Sequence, residues 1–185
     1  MFFRSERLFL RPGFAEDWQD LRDAIADAAI VRNLATAPWP YREEDARLFA
    51  ARVQDPRYPH FLLTLPTDQG AALVGSAGLG EREGEAELGY WIARPFWGQG
   101  FATEAASAVL EIARMLGHRR VIASHHHDNP ASGSVLRKAG FRPTGAVERR
   151  YCLGRGASVP GPVYAIAFDD GDGTVELDIE MPAAA

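Results

Sequence analysis

A single cysteine, Cys152, stands among the 185 residues, and no Cys-His spacing resembles a zinc site. That excludes an intramolecular disulfide and suits a reducing cytoplasm. No hydrophobic run approaches the roughly 20 residues of a bilayer span. The N-terminal MFFRSERLFLRP carries charges inside its apolar run and no small-residue cleavage site, so it does not read as a signal peptide. A basic stripe is missing too: Lys and Arg number 20 against 25 Asp and Glu, a net charge of -5, with only Arg149, Arg150 and Arg155 clustered. This argues against a nucleic-acid partner. No repeat, low-complexity tract or long linker divides the chain, which reads as one domain over 1–185, large enough to bury its own core.

What is present alternates between strand and helix patterns. Leu8 and Leu10 alternate with Arg7, Phe9 and Arg11 in a first strand ending at Pro12. Trp18, Leu21 and Ile25 have helical spacing within 14–29, and Arg42 to Val53 reads as a second, short helix. Between them ATAPWPY (35–41) carries two prolines and forms neither helix nor central strand; its aromatics either anchor a loop or wall a site. Strands at 61–65 and 72–79, joined by a Gln69-Gly70 turn, form an antiparallel hairpin, and the turn at 81–84 leads into a further strand from Glu85. A helix from Phe101 to Leu116 stops at Gly117, a strand follows over 121–127, and a helix over 132–139 stops at Gly140. Two closing strands, 141–150 and 162–168, flank a loop from Gly154 to Gly161, and Thr174–Ile179 is a candidate edge strand. The pattern predicts an α/β (α+β) fold, a mixed seven-stranded sheet with helices on both faces.

EAELGYWIARPFWGQGFAT (85–103) organises the rest. A strand ends near Ala93, and two glycines one residue apart open an alanine-rich helix. The first amides of a helix lack intrahelical partners and sit at its positive end, so Gly98 to Thr103 reads as a phosphate cradle. The third glycine of a dinucleotide fingerprint and the Gly-Lys-Ser/Thr of a Walker loop are both absent.

SERLFLRPGFAEDWQDL, LVGSAGL, AELGYWIARPFWGQGFATEA, NPASGSVLRKAGF and ERRYCLGRG, in this order and spacing, resemble the GNAT superfamily of acyl-CoA-dependent N-acetyltransferases, RimJ/RimL-like branch, over nearly the whole chain. The resemblance implies a sheet splayed between strands four and five, with the pantetheine arm of acetyl-CoA in the opening. It assigns the pyrophosphate to backbone amides of Trp97, Gly98, Gln99, Gly100, Phe101 and Ala102, with a hydroxyl from Thr103. Many members carry Gln or Arg three residues before the first glycine, where this chain has Pro95; Arg94 is adjacent and receives no phosphate contact.

Acetyl transfer to an amine requires a base, donors to the developing oxyanion and a good thiolate leaving group. An amine of pKa about 10.4 arrives mostly as ammonium. Glu87, in the strand before the cradle, is the first candidate base, and the resemblance agrees. His125, His126 and His127 are the alternative, with His125 and His127 on one face if the strand runs through them; one strand cannot turn all three to a metal. The resemblance places the oxyanion at an amide near Trp91 or Ile92, where the family's strand bulges, and a pantetheine contact at Asn129, which equally suits an Asx cap before Pro130. Many GNAT enzymes have a tyrosine acid four residues before the Gly-Phe pair; here that residue is Leu136, which leaves Ser132, the RimJ/RimL-type serine, as donor to the sulfur. Cys152 has no activating partner, so transfer is expected to be direct, in a ternary complex. The expected partners are acetyl-CoA and a primary amine, a protein N-terminus or small molecule. A non-catalytic acyl-CoA sensor is the rival reading. The sequence is compatible with a homodimer but leaves oligomeric state open.

Overall fold

Leu8 and Leu10 do enter a strand, but one that folds back on a partner the sequence does not announce. The computed structural model, which describes residues 1–68 and 70–168, pairs β1 (Phe3–Arg4) with β2 (Phe9–Arg11) as a small antiparallel hairpin. Antiparallel pairing continues through β3 (His60–Thr67), β4 (Gly70–Arg82) and β5 (Glu85–Ile92). β6 (Arg120–Ser124) then joins β5 in parallel, and β7 (Arg142–Cys152) and β8 (Ala157–Ala167) complete the order β1-β2-β3-β4-β5-β6-β8-β7. The sheet therefore has eight strands among the described residues, not seven. A two-residue strand is too short to show alternation, which is why β1 escaped notice. The expected fourth and fifth strands are β5 and β6, and the candidate strand at 174–179 lies outside the described residues.

The β4–β5 turn is made by Glu83 and Gly84, both at positive φ (53° and 84°), the geometry that matches the twist of a two-residue hairpin. Gly84 satisfies the strain at one position, and the Gly84 amide donates to the Glu81 side chain at 2.6 Å.

Helices cover both faces, as expected. α1 (Trp18–Ile25), α2 (Ala28–Val31) and α3 (Glu43–Ala50) bury Leu21, Ile25, Val31, Ala46 and Ala50 with Leu62 and Trp91 on one face. On the other, α4 (Phe101–Met115) sets Ala105, Val109 and Ile112 against Leu8, Leu79 and Leu88, and α5 (Pro130–Lys138) adds Leu136. The helix expected over 14–29 is broken because the Asp27 side chain accepts from the Ala29 amide at 2.7 Å and caps a new turn.

Two boundaries move for a tertiary reason. β8 begins at Ala157, not Pro162, because pairing with β7 from Cys152 back to Val147 outweighs a Gly/Pro-rich composition. The connection shrinks to 153–156, so the Gly154–Gly161 loop does not exist as such. β6 stops at Ser124, three residues early: β8 passes so close at Gly161 that an added Cβ would run into the His125 carbonyl, and the His127 amide donates to Pro160 O at 2.9 Å.

His60, at the start of β3, packs edge-on to Phe49 and against Gly78. Burial, aided by the Arg52 charge, pushes its pKa down to about 4. A ring held below its unfolded value of about 6.5 favours the neutral form, so its stabilising share is complete above pH ~6.5 and is lost as pH falls towards 4, a loss of up to about 3 kcal/mol. Urea unfolding between pH 7 and 4.5 should show this slope, and His60→Gln should flatten it; an equal slope in both proteins would assign the acid sensitivity elsewhere.

Candidate functional site

The site is a split in the sheet. β5 and β6 pair only at Ala86–Val121 and Glu87–Ile122, and from Leu88 to Ile92 β5 is held by β4 alone. The amide of Ala93 donates to Val74 O at 2.8 Å, which fixes the phase of that ladder. Peptides alternate along a strand. The Trp91 amide therefore turns to Ser76 on β4, and the amides of Tyr90 and Ile92 turn into the split. The ladder from Glu85 to Ile92 is regular, without the bulge expected near Trp91. Of the two amides expected to meet a thioester, only that of Ile92 faces the opening.

At the C-terminal end of β5 the chain makes one tight turn, Arg94–Phe96, and enters the cradle. Gly98 and Gly100 have φ of 74° and 83°, values a side chain resists, and Gly100 is the N-cap of α4. An added Cβ at Gly98 would meet nothing, so the backbone lies open to whatever approaches. Trp97 is anchored by its indole N–H to Ile92 O at 2.6 Å and Gln99 by its amide to Pro95 O at 3.0 Å. Phe101 is buried beneath, whereas Ala102 and Thr103 stand half-buried on the first turn. Arg94 lies over the Trp97 ring and 3.5 Å from Asp27, not in the cradle.

Sequence reasoning missed the cation that does reach the loop. Arg7 donates to Gln99 O at 3.1 Å, stacks 4.2 Å from the Phe101 ring centroid and pairs with Glu104 at 2.7 Å. Glu104, in the first turn of α4, also accepts from Ser5 Oγ and the amides of Arg7 and Leu8. Burial works to raise its pKa, but these donors outweigh burial and hold it below the usual range. Arg7 and Glu104 are 97 positions apart, so only the fold joins them.

On the face shared with α1–α3 lie Glu87 and Gly89, two residues apart on β5. Glu87 Oε1 accepts from Arg82 at 2.9 Å, from Arg150 and from Ser124 at 3.4 Å. Its side chain is 16% exposed, and among the described residues no donor is found on Oε2. An added Cβ at Gly89 would meet no atom within 4 Å, so the floor beside Glu87 is empty space. The wall of this groove joins two expected segments: Leu153 N donates to Ala35 O at 2.9 Å, and Gly154 is needed because a Cβ there would come within 2.7 Å of Val31. Tyr41 is buried in the core whereas Trp39 is half exposed.

The three histidines do not converge, because β6 ends before them. His125 packs at a tilt against Tyr164 and against Gly133 of α5. His126 is buried on the opposite side with Nδ1 3.1 Å from Arg32 O, and burial together with nearby Arg155 lowers its pKa. Asn129 Oδ1 caps α5 by accepting from the Ser132 amide at 3.4 Å. Ser132 Oγ lies 2.8 Å from the hydroxyl of Tyr90, a residue not singled out from the sequence. Cys152 is buried with its thiol directed at Leu34 O.

The comparisons agree with this geometry. The family model for the acetyltransferase (GNAT) domain matches residues 7–142. The chain is 27% identical over 160 residues to N-acetyltransferase YnaD of Bacillus subtilis (strain 168), itself uncharacterized, covering 84% of this chain and 90% of that protein. Among solved structures, a GNAT-family acetyltransferase from Bacillus anthracis superposes with a TM-score of 0.77 at 25% identity, covering 90% of this chain and 98% of that one. RimL, the ribosomal L7/L12 alpha-N-protein acetyltransferase in complex with coenzyme A, shares the fold at TM-score 0.76 and 21% identity over 91% of this chain and 99% of its own. A split parallel pair ending in a glycine-opened helix, and a family model spanning that same stretch, lead to one conclusion: the chain belongs to the GNAT acetyltransferase family and is an acyltransferase.

Proposed function

We propose that the protein is an acetyl-CoA-dependent N-acetyltransferase that moves the acetyl group directly to a primary amine, a protein N-terminus or small molecule, in a ternary complex. The observation that carries the reading is the split itself. It presents an unpaired strand edge, Leu88 to Ile92, leading straight to the open amides of Gly98 to Thr103. An extended arm bearing amides pairs with such an edge as an added strand would. A pyrophosphate at its end meets the helix N-terminus.

In this reading the amides of Trp97 to Ala102 and the Thr103 hydroxyl hold the pyrophosphate, and Arg7 fixes the loop from beneath. The Ile92 amide, preorganised by the β4 ladder, donates to the thioester oxygen as it becomes an oxyanion. Trp91 contributes its indole to the groove core and not its amide. The amine approaches over Gly89, and Glu87 takes its proton through Oε2, the oxygen that Arg82 and Arg150 leave unclaimed. Asn129 orders the first turn of α5, beside the pantetheine arm. The C–N bond forms, the C–S bond breaks, and the sulfur departs with the electron pair towards Ser132.

Acetyl-CoA should raise the thermal midpoint, and a screen of small amines and N-terminal peptides should find one that stimulates free-thiol release; no stabilisation by any acyl-CoA would sink the reading. Gly100→Val, strained at positive φ, should raise the KM for acetyl-CoA at least tenfold while leaving kcat within about threefold. A Cβ at residue 89 meets no atom within 4 Å, so Gly89→Leu should fold and bind acetyl-CoA normally yet lose at least tenfold in kcat/KM for the amine. Normal turnover by Gly89→Leu would move the amine elsewhere. Glu87→Gln should lower kcat by about 100-fold, and an unchanged rate would remove Glu87 as base.

A further inference from the structure

The family's usual tyrosine acid is replaced by Leu136, which is fully buried and has nothing to donate. A different tyrosine, on β5 across the split, reaches the first turn of the same helix. Tyr90 leaves β5 on the α4–α5 face, and its hydroxyl lies 2.8 Å from Ser132 Oγ and 3.2 Å from Ser132 O. Past the last β5–β6 pair at Glu87, this contact links β5 to α5 across the opening.

A phenol has one proton and the contact has two acceptors. When Tyr90 donates to the Ser132 carbonyl, the serine hydroxyl donates to Tyr90 and is closed on itself. When Tyr90 donates to Ser132 Oγ, the serine proton is free for another acceptor. Burial pushes the Tyr90 phenol up to about 12, the Ser132 hydrogen bond acting against it. Tyr90 thus keeps its proton at working pH and acts by donating, not by ionising.

Resting on the acetyltransferase reading above, we propose that Tyr90 is a positioning residue: by donating to Ser132 Oγ it turns the serine hydroxyl onto the departing sulfur of coenzyme A. As the C–S bond breaks the sulfur takes the electron pair and the serine hydrogen bond stabilises the thiolate. Both hydroxyls keep their protons, the amine's proton goes to the base, and the thiol is formed by a proton from solvent. A neutral donor network of this kind strengthens the terminal bond because each hydroxyl polarises the next.

The test needs no acceptor. Coenzyme A and desulfo-CoA are bound to the wild-type protein, Tyr90→Phe, Ser132→Ala and the double variant, and the bound thiol is titrated by the ultraviolet absorbance of its thiolate. In the wild-type complex the thiol should titrate below that of free coenzyme A in the same buffer, with roughly tenfold more thiolate at a given pH. Tyr90→Phe should lose roughly threefold to fivefold of that gain, on the order of one hydrogen bond. Ser132→Ala should lose all of it, and the double variant should match Ser132→Ala, since Tyr90 acts only through the serine. Affinity for desulfo-CoA should be the same in all four. A wild-type titration in Tyr90→Phe overturns the proposal, as does an unchanged titration in Ser132→Ala, which serves if Tyr90→Phe does not fold. Failure of the wild-type protein to bind either compound instead overturns the acetyltransferase reading, an outcome distinct from normal binding with an unshifted thiol.

Discussion

Two parallel strands that pair over two residues and then part are the constraint on which the rest of the structure depends. A backbone amide left unpaired in a protein interior is costly, so the edge from Leu88 to Ile92 persists only because it borders an opening. β4 holds the other edge of β5 in unbroken register, which keeps the exposed amides aimed and rigid. β6 leaves β5 after Ile122 but stays paired with β8 to Ser124, and β8 lies close at Gly161 where the histidines begin.

Around that opening the two faces divide the work. On the α4–α5 side lie neutral donors: the cradle amides, the helix N-terminus and the Tyr90–Ser132 pair. Glu104 would oppose an anion there, and its five donors from Ser5, Arg7 and Leu8 are what neutralise it. On the α1–α3 side lie the formal charges, Glu87 between Arg82 and Arg150, beside a floor emptied by Gly89. Glu87 and the Tyr90–Ser132 pair thus lie on opposite faces of one sheet.

Much of this was legible in the chain. The hairpin β3–β4, the long helix α4 and the cradle follow from alternation, helical spacing and paired glycines, all local signals. Period two alone puts Glu87 and Gly89 on a common face of β5. The histidines were misread for the same reason: alternation was extended through His127, and nothing local shows that a strand 35 residues later would end it. The Gly154–Gly161 loop failed similarly, since glycine and proline signal turns, and only pairing with β7 overrides them.

By itself the sequence determined most of the succession of strands and helices, the glycine-opened turn into α4 and the family, because these are written in periodicities and motifs a few residues long. Tertiary structure alone decided which amides face the split, that Arg7 reaches the cradle through Glu104 and that Tyr90 meets Ser132. Each of those is a contact between residues 42 or more positions apart or a matter of ladder phase. Directional bonds of about 3 Å depend on how the sheet twists and parts, and no local pattern encodes that.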